Sequence, residues 1–352
     1  MFPLNNLTLS FIMKKPIIVL KFGSSIITQS SGEVNELIIA QIAEQVSELQ
    51  KQFHIVLVSS GAVAAGKSAI IDYKGTLLER KAAASVGNPR LISIYSNYFR
   101  QYGITIAQSL CERHHFSQRN QFLQLKDTYQ ELWENNIIPI ANENDLVSNL
   151  EIKFSDNDEL ATLIAAGFGA EKLLIATSVG GLLDGNKRII PQVKEIDSSI
   201  FSLVSNEKSK TGLGGMISKL TFTKMANRMG LKVVIFGMNE KDAIIKASQE
   251  LIGTTFLPQK ASLSAKQKWL ATGSLISTKI MIDEGAEKAL LNRKSLLAVG
   301  VKKYFGEFLA GEVIEILNMK KEIIAIAKAS HSLENIKAGA KEIAHANDIV
   351  NF

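Results

Sequence analysis

Carboxylates and amides are concentrated between Ile140 and Asp158, in the sequence IANENDLVSNLEIKFSDND. They include Asn142, Glu143, Asn144, Asp145, Glu151, Asp156, Asn157 and Asp158. The only cation within the stretch is Lys153. Because so many acidic groups repel one another, ammonium groups or metal cations are needed to offset their charge. The stretch is interpreted either as a binding loop or as a solvated acidic loop.

A second stretch, TGLGGMISKL, places three glycines ahead of a helical pattern between Thr211 and Leu220. Glycines let backbone amides approach an oxyanion closely, and the amino terminus of a helix favours negative charge. Lys219 is predicted about one turn inside this helix, where it can reach back to a phosphate. The spacing does not match a Walker loop.

A third candidate is Lys21, at the end of the apolar run PIIVLKF and just before Gly23. Two lysines, glycine-hydroxyl loops and an acidic-amide loop together fit phosphoryl transfer, which depends on positioning and on cations directed at the phosphoryl oxygens. No general base is evident. A carboxylate acceptor, with a pKa of about 4.3, is already ionised at neutral pH, so this absence favours an acyl-phosphate product.

The elements that position these residues alternate between strands and helices. Apolar runs predict six strands: PIIVLKF, HIVLVSS, ITIAQSL, IIPI, KLLIATS and KVVIFG. Helical periodicity covers 34–50, 61–70, 76–101, 117–135, 159–168 and the segment after Met216. This alternation predicts an α/β fold with a doubly wound, mainly parallel sheet, whose ligands bind at the carboxyl ends of the strands.

The periodicity changes after about Pro258, which predicts a second domain. Short apolar runs separated by glycines or polar clusters indicate a small β-rich domain. The expected division is an amino-terminal extension over 1–13, an α/β domain over 14–262, a linker over 263–274 and the β-rich domain over 275–352. Met13 is an alternative start.

Composition limits the class of protein. The 352 residues are 46% hydrophobic and 21% charged, as in a globular protein with a full core. The net charge of +6 does not demand a nucleic-acid or membrane partner, and no apolar run reaches the roughly 18 residues of a spanning helix. The single cysteine, Cys111, excludes an intrachain disulfide and fits a reducing cytoplasm. It is expected to be a core thiol.

Five motifs, VLKFGSS, SSGAVAAG, PIANEND, FSDND and LGGMISK, stand in the order and spacing of the amino-acid kinase family. Within that family they most resemble members that phosphorylate the side-chain carboxylate of glutamate. The carboxyl-terminal segments IDEGAEKAL, SLLAVGVKKYFGEFLAGEVIEI and KEIAHANDIV resemble a PUA domain. The resemblance covers nearly the whole chain after Met13.

At matched positions the resemblance implies that Lys21 and Lys219 flank the γ-phosphate of ATP and that Asp158 orients both lysines. It implies glutamate binding by Ser60, Asp145, Asn157, Asn142, Asn144 and Gly61, with Glu143 in the same loop. It implies nucleotide binding by Lys21, Gly23, Thr177, Ser178, Leu213, Gly214, Gly215, Met216, Ile217, Ser218 and Lys219.

Two departures from the family pattern lie on the nucleotide side. The usual Thr-Asp after the fifth strand is Thr177-Ser178 here, and the usual threonine before the loop glycines is Leu213. The PUA-like segment is also shorter than usual between His331 and Ile343.

The resemblance further implies cofactors and partners. ATP with Mg²⁺ and L-glutamate are the expected substrates, with no metal site built from protein residues alone. Free proline is the expected feedback inhibitor. A homo-oligomer in the cytoplasm is expected, with functional coupling to glutamyl-phosphate reductase. PUA domains are often associated with RNA, but an RNA partner is not expected because the charges of residues 275–352 nearly balance, and no membrane partner is expected because no apolar run is long enough to span a bilayer.

Alternative functions stay open. Another amino-acid kinase would use aspartate or carbamate as the acceptor. An RNA-linked regulator without catalysis is a different class, but residues 275–352 carry 11 Lys and Arg against 10 Asp and Glu, a small excess for a phosphate-binding surface. The lysine pairs at 302–303 and 320–321 could form only a small basic patch.

Structural roles are the alternatives for individual residues. Lys21 could cap carbonyls at a strand end, and Asp156 and Asp158 could offer charge to a helix amino terminus. His114 and His115 lack acidic or cysteine neighbours at ligand spacing, which favours a structural role over metal binding.

Overall fold

The computed structural model describes residues 15–29, 31–146, 157–204, 215–259, 278–308, 310 and 313–351. Residues 15–259 hold one large sheet with its helices, and residues 278–351 hold a smaller β-rich unit. We call these the large domain and the small domain. No helix within the described ranges is long and apolar enough to cross a membrane.

The large domain is built on an eight-stranded sheet in the order β3-β4-β2-β1-β5-β7-β8-β6. Its strands are β1 Ile17–Phe22, β2 His54–Ser59, β3 Thr105–Cys111, β4 Ile137–Glu143, β5 Lys172–Ala176, β6 Gln192–Val193, β7 Lys232–Phe236 and β8 Thr254–Phe256. The first six in that order pair in parallel, whereas β8 runs antiparallel to β7. All six predicted strands are present. Only β6 and β8, of two and three residues, escaped prediction because such short segments show no periodicity.

Helices cover both faces of this sheet. They are α1 Ser24–Ile27, α2 Glu36–Leu49, α3 Ala62–Gly66, α4 Leu77–Arg100, α5 His114–Ser117, α6 Arg119–Glu134, α7 Asn157–Phe168, α8 Ser198–Ser202, α9 Met216–Arg228 and α10 Ala243–Ser248. Local capping fixes the longest, α4, because the Thr76 hydroxyl accepts from the Glu79 amide and the Glu79 carboxylate accepts from the Thr76 amide. The helix predicted over 61–70 divides into α3 and a 3₁₀ turn at Lys67–Ala69.

Alternation along the strands creates two cores. In β1, Val19 points into one apolar cluster, whereas Ile18 and Leu20 point into the other. The first cluster includes α6, α7 and α9, and the second includes α2 and α4. Both faces of the central strands are therefore buried, as their uninterrupted apolar sequences predict.

Helices α3 and α4 cross at unusually close range. A Cβ atom on Gly66 would lie 1.9 Å from the Ala83 carbonyl oxygen, and one on Gly87 would lie 1.7 Å from that of Ala62. Only glycine allows this approach. Asn88 follows Gly87 in α4, and the crossing places it in a buried position beside the carboxyl ends of the strands.

The small domain contains a five-stranded sheet in the order β11-β9-β12-β13-β15 and a pair of short strands, β10 and β14. The strands are β9 Lys279–Ile282, β10 Leu296–Leu297, β11 Val301–Phe305, β12 Val313–Leu317, β13 Ile323–Lys328, β14 Glu342–Ala344 and β15 Ile349–Asn351. Two short helices, α11 Glu284–Leu291 and α12 Leu333–Lys337, cover it. The β-rich character was predicted from the sequence, whereas the two helices were not.

Candidate active site

A carboxylate bridges two lysines at the carboxyl edge of the large sheet. Asp158 Oδ1 lies 2.5 Å from Lys21 Nζ, and Asp158 Oδ2 lies 3.0 Å from Lys219 Nζ. Lys21 is 4% exposed, Lys219 is 9% exposed and Asp158 is fully buried. The family resemblance implied an association of these three residues, and the structure brings them together.

Three different elements deliver these side chains. Lys21 occupies the penultimate position of the central strand β1, between Val58 of β2 and Ile175 of β5. Asp158 lies in the first turn of α7, and Lys219 lies in the first turns of α9, which begins after Gly215. The parallel sheet brings the end of β1 and the beginnings of both helices to the same edge.

The electrostatics of the group favour an anionic ligand. Burial raises the pKa of Asp158, but the charges of Lys21 and Lys219 outweigh it and hold the pKa below its ordinary value. The carboxylate is therefore ionised, and two ammonium groups next to one carboxylate leave an excess of one positive charge. In a buried site that excess acts strongly on an oxyanion.

A hydrogen-bonded cluster of amides and a hydroxyl adjoins the lysines. Asn157 Nδ2 donates to Ser60 Oγ at 2.9 Å and to Asn142 Oδ1 at 2.9 Å. Asn142 Nδ2 in turn donates to Asn88 Oδ1 at 3.1 Å. Ser60, Asn142 and Asn157, which were predicted as substrate-binding residues, are thus joined in one network.

One acceptor of this network has no partner among the described residues. Asn157 Oδ1 is buried there without a hydrogen bond. Leaving a buried acceptor unsatisfied costs free energy, which favours a ligand that donates a hydrogen bond at this point.

Gly61 follows Ser60 and caps the amino terminus of α3. Its φ is +108°, and a Cβ atom at this position would lie 2.8 Å from Ile27 Cγ2. A left-handed backbone and a close neighbour both require glycine here.

The loop after β4 holds two more predicted residues. Asn144 Nδ2 donates to Glu112 Oε1 at 2.9 Å, which ties this loop to the end of β3. Asp145 follows at a half-buried position. Glu151, Lys153 and Asp156 lie outside the described residues.

Residues predicted on the nucleotide side line the same edge. A Cβ atom on Gly23 would lie 3.3 Å from Lys21 Nζ, so glycine at this position avoids a tight contact with the ammonium group. Thr177 is buried after β5 and Ser178 is exposed beside it. Gly215, Met216, Ile217 and Ser218 lead into Lys219. Leu213 and Gly214 lie outside the described residues.

Several polar residues that support the site were not predicted from the sequence. Asn88 anchors Asn142, Glu112 anchors Asn144, and the Tyr95 hydroxyl hydrogen-bonds Ser59 Oγ at 2.9 Å. Asn88 and Tyr95 lie within a long helical pattern, where buried polar residues have no distinctive spacing. The Gly87-Asn88-Pro89 interruption of that pattern was the one available signal.

The described residues do not form a protein-only metal centre. None of the groups of His, Cys, Asp and Glu in the described ranges has the arrangement of a metal site. His115 Nδ1 accepts from the Glu112 amide at 2.9 Å. Cys111 is a buried free cysteine, as predicted, and burial raises its pKa to about 11.

Comparisons with known proteins agree with this geometry. Residues 16–237 match the amino acid kinase family, and residues 278–350 match the PUA domain. The chain is 36% identical over 346 residues to a Glutamate 5-kinase of Vibrio vulnificus (strain YJ016), covering 95% of this chain and 91% of the relative. It is 34% identical over 360 residues to Glutamate 5-kinase 2 of Pseudoalteromonas translucida (strain TAC 125), covering 95% and 98%.

Among solved structures, a carbamate kinase from Giardia lamblia bound to AMP-PNP superimposes with a TM-score of 0.50 at 15% identity. The match covers 70% of this chain and 99% of that chain, and it supports the fold alone. The fold class and the family resemblance predicted from the sequence are confirmed. The chain belongs to the amino acid kinase family and carries a carboxyl-terminal PUA domain.

Proposed function

We propose that the chain transfers the γ-phosphoryl group of ATP to the side-chain carboxylate of L-glutamate. The product is L-glutamyl 5-phosphate, the first intermediate of proline biosynthesis. The observation that carries this proposal is the buried Asp158 held between Lys21 and Lys219 beside the Ser60, Asn142 and Asn157 cluster. The identity of 36% to a Glutamate 5-kinase supports the choice of acceptor.

The lysines supply the electrostatic part of catalysis. A carboxylate oxygen of glutamate attacks the γ-phosphorus, and the bond between that phosphorus and the bridging oxygen of ADP breaks. Charge on the transferred group and on the leaving oxygen is stabilised by the two ammonium groups, which Asp158 holds in place. The acceptor is already ionised at neutral pH, so no side chain must remove a proton.

Glutamate binding is assigned to the amide cluster and the loop after β4. Asn157 Oδ1, which has no partner among the described residues, accepts from the glutamate ammonium group. The remaining residues proposed to bind glutamate are Ser60, Gly61, Asn142, Asn144 and Asp145. Asp145 supplies a negative charge for the ammonium group.

Nucleotide binding is assigned to the two glycine-containing segments. Gly23 and Gly215 are proposed to give the phosphates access to Lys21 and Lys219. The other residues proposed to bind the nucleotide are Thr177, Ser178, Leu213, Gly214, Met216, Ile217 and Ser218, of which Leu213 and Gly214 are assigned from the sequence alone.

Magnesium fits this site as a companion of ATP. Mg²⁺ usually keeps several waters and binds through substrate phosphates with few carboxylates. The one carboxylate of the lysine group, Asp158, is engaged by two ammonium groups, so the phosphates themselves would hold the ion. Its chemical contribution is neutralisation of phosphate charge.

We further propose the setting of this activity. The proposed domain division is an extension over 1–13, a kinase domain over 14–262, a linker over 263–274 and a PUA domain over 275–352. Free proline is the proposed feedback inhibitor. The enzyme is proposed to be a cytoplasmic homo-oligomer that passes its labile product to glutamyl-phosphate reductase.

Hydroxylamine trapping tests the proposed function. The protein is incubated with ATP, Mg²⁺, hydroxylamine and a panel of amino acids that includes glutamate and aspartate, with and without proline. Glutamyl hydroxamate that is suppressed by proline is expected. Hydroxamate from aspartate but not glutamate would change the acceptor, and no hydroxamate with any acid would contradict a carboxylate kinase.

A further inference from the structure

Three asparagines form a chain of hydrogen bonds that we call the amide relay: Asn88, Asn142 and Asn157. Asn157 Nδ2 donates to Asn142 Oδ1 at 2.9 Å, and Asn142 Nδ2 donates to Asn88 Oδ1 at 3.1 Å. Asn88 and Asn142 are both buried, so water competes little for these bonds. Each amide therefore depends on its neighbours for its orientation.

The direction of the relay is set by a backbone group. The Glu143 amide donates to Asn142 Oδ1 at 2.9 Å. A backbone N–H group can only donate, so the atom of Asn142 that faces it must be oxygen. The nitrogen of the same side chain then faces Asn88, which must present its oxygen. By the same reasoning, Asn157 must present its nitrogen to Asn142 Oδ1.

The relay ends in an acceptor at the proposed glutamate site. Asn157 Nδ2 is occupied, because it donates to Ser60 Oγ as well as to Asn142 Oδ1, at 2.9 Å each. Asn157 Oδ1 is buried and has no hydrogen-bond partner in the described part of the chain. Such an acceptor favours a ligand group that donates, such as an ammonium, and disfavours a carboxylate. A relay of the opposite direction would present a nitrogen donor at the same point.

The fold holds Asn88 close to the segment that carries Ser60. Asn88 follows Gly87 in α4, where that helix crosses α3 at close range. Helix α3 begins directly after Ser60 and Gly61. The crossing therefore ties the far end of the relay to the residue that shares Asn157 Nδ2 with it.

We propose that Asn88 is a positioning residue that fixes the direction of the amide relay and so makes the site selective for substrates that carry an ammonium group. Asn88 Oδ1 satisfies Asn142 Nδ2, which is otherwise a buried donor without an acceptor. In the absence of Asn88, Asn142 Nδ2 can turn to Asn157 Oδ1, and Asn157 then presents its nitrogen to the ligand. This inference rests on the proposed binding of the glutamate ammonium group at Asn157 Oδ1.

Two substitutions at Asn88 test the proposal through steady-state hydroxamate formation by the full chain. Asn88→Leu keeps the branched shape and removes the acceptor, and it should raise the KM for glutamate about ten- to hundredfold, as for the loss of a hydrogen bond to a charged group. The KM for ATP should stay within about twofold of the wild-type value. Asn88→Asp has oxygen at both positions of the amide, so it still accepts from Asn142 Nδ2 and should keep the KM for glutamate within about threefold.

Glutarate separates the ammonium group from the two carboxylates, because it has both carboxylates and no ammonium. Its inhibition constant against glutamate is measured for each variant. If Asn88 acts through Asn157 Oδ1 and the ammonium group, Asn88→Leu should leave the inhibition constant of glutarate within about threefold of the wild-type value. An increase that parallels the KM for glutamate would show general damage to the site and would overturn the proposal.

Asn227→Leu is the matched control. Asn227 is a buried asparagine of the same domain, and its Nδ2 atom donates to the Leu231 and Phe256 carbonyl oxygens at 3.0 and 3.2 Å. Its loss should lower the melting temperature and leave both the KM for glutamate and the inhibition constant of glutarate unchanged.

Thermal melting of each variant shows whether it is folded. An unchanged KM for glutamate in folded Asn88→Leu would overturn the proposal, and so would a tenfold or larger increase in folded Asn88→Asp. The second variant decides alone if the first does not fold. A wild-type protein that forms no glutamyl hydroxamate would instead contradict the proposed function.

Discussion

Lys219→Ala separates catalysis from folding, because Asp158 keeps Lys21 as a partner in the variant. Asp158 lies 2.5 Å from Lys21 Nζ and 3.0 Å from Lys219 Nζ. The substitution therefore avoids the loss of about 3–5 kcal/mol that follows when a buried charge is left without any partner. Lys219 is also only 9% exposed, so its charge acts on the phosphoryl group with little screening by water.

Removal of one such stabilising group costs about 2.7–4 kcal/mol in the transition state, or about 10²- to 10³-fold in kcat. We expect this decrease in kcat for Lys219→Ala, with the KM for glutamate within about threefold of the wild-type value. Lys224→Ala is the matched control, since Lys224 lies on the same helix and contacts the Phe201 ring instead, at 5.7 Å from its centroid. It should keep wild-type kcat.

Steady-state kinetics with glutamate and ATP varied separately provide the measurement. Thermal unfolding should show both variants folded. A Lys219→Ala enzyme with wild-type kcat and only a raised KM for glutamate would refute the catalytic assignment.

Three other predictions concern the same site. Asp145→Ala should raise the KM for glutamate about tenfold or more, because one charge-assisted contact is lost, with little change in the KM for ATP. Asp127→Ala, on the exposed face of α6, is the control. Equal glutamate dependence of the two variants would remove Asp145 from the site. Gly61→Ala should lower the free energy of unfolding by at least about 1–2 kcal/mol, the cost of a left-handed backbone, plus the cost of the contact with Ile27. Gly103→Ala, which has a positive φ but no atom within 4 Å, should show the backbone cost alone, and equal losses in urea unfolding would contradict the steric argument. The pKa of Asp158 in the folded protein lies below the ordinary value of 3.8, so its ionised form stabilises the fold above pH 3.8, and this stabilisation is lost as the pH falls through the lowered pKa. The difference in melting temperature between wild type and Asp158→Asn should therefore be constant from pH 7 to pH 5. A decrease in that range would contradict the ion-pair assignment.

Local patterns were sufficient to predict the elements of the large domain. Continuous apolar runs such as IIVL in β1 are buried on both faces, and a strand with no polar alternation has few other environments. The same reasoning placed Lys21 at a strand end and Lys219 in a helix after glycines. The rule that strand carboxyl ends share one edge predicted both lysines and the acidic-amide loop at the same place. The pairing of Asp158 with both lysines was implied only by the family resemblance.

Contacts between distant segments were not predictable in this way. Asn88 and Asn142 are 54 residues apart, and their hydrogen bond depends on the close crossing of α3 and α4. Glu315 and Ile326 alternate with core residues in an ordinary strand pattern, which predicts an exposed outer face. Both residues are nevertheless buried, and Ile326 belongs to an apolar cluster of the large domain. No local periodicity reports such packing.

A crystal structure with a non-hydrolysable ATP analogue, Mg²⁺ and glutamate bound would test the proposed site most directly. We expect γ-phosphate oxygens within hydrogen-bond distance of both Lys21 Nζ and Lys219 Nζ. We also expect the glutamate ammonium group at Asn157 Oδ1, with the side-chain carboxylate facing the γ-phosphorus. A γ-phosphate bound away from both lysines, or glutamate bound outside the amide cluster, would contradict it.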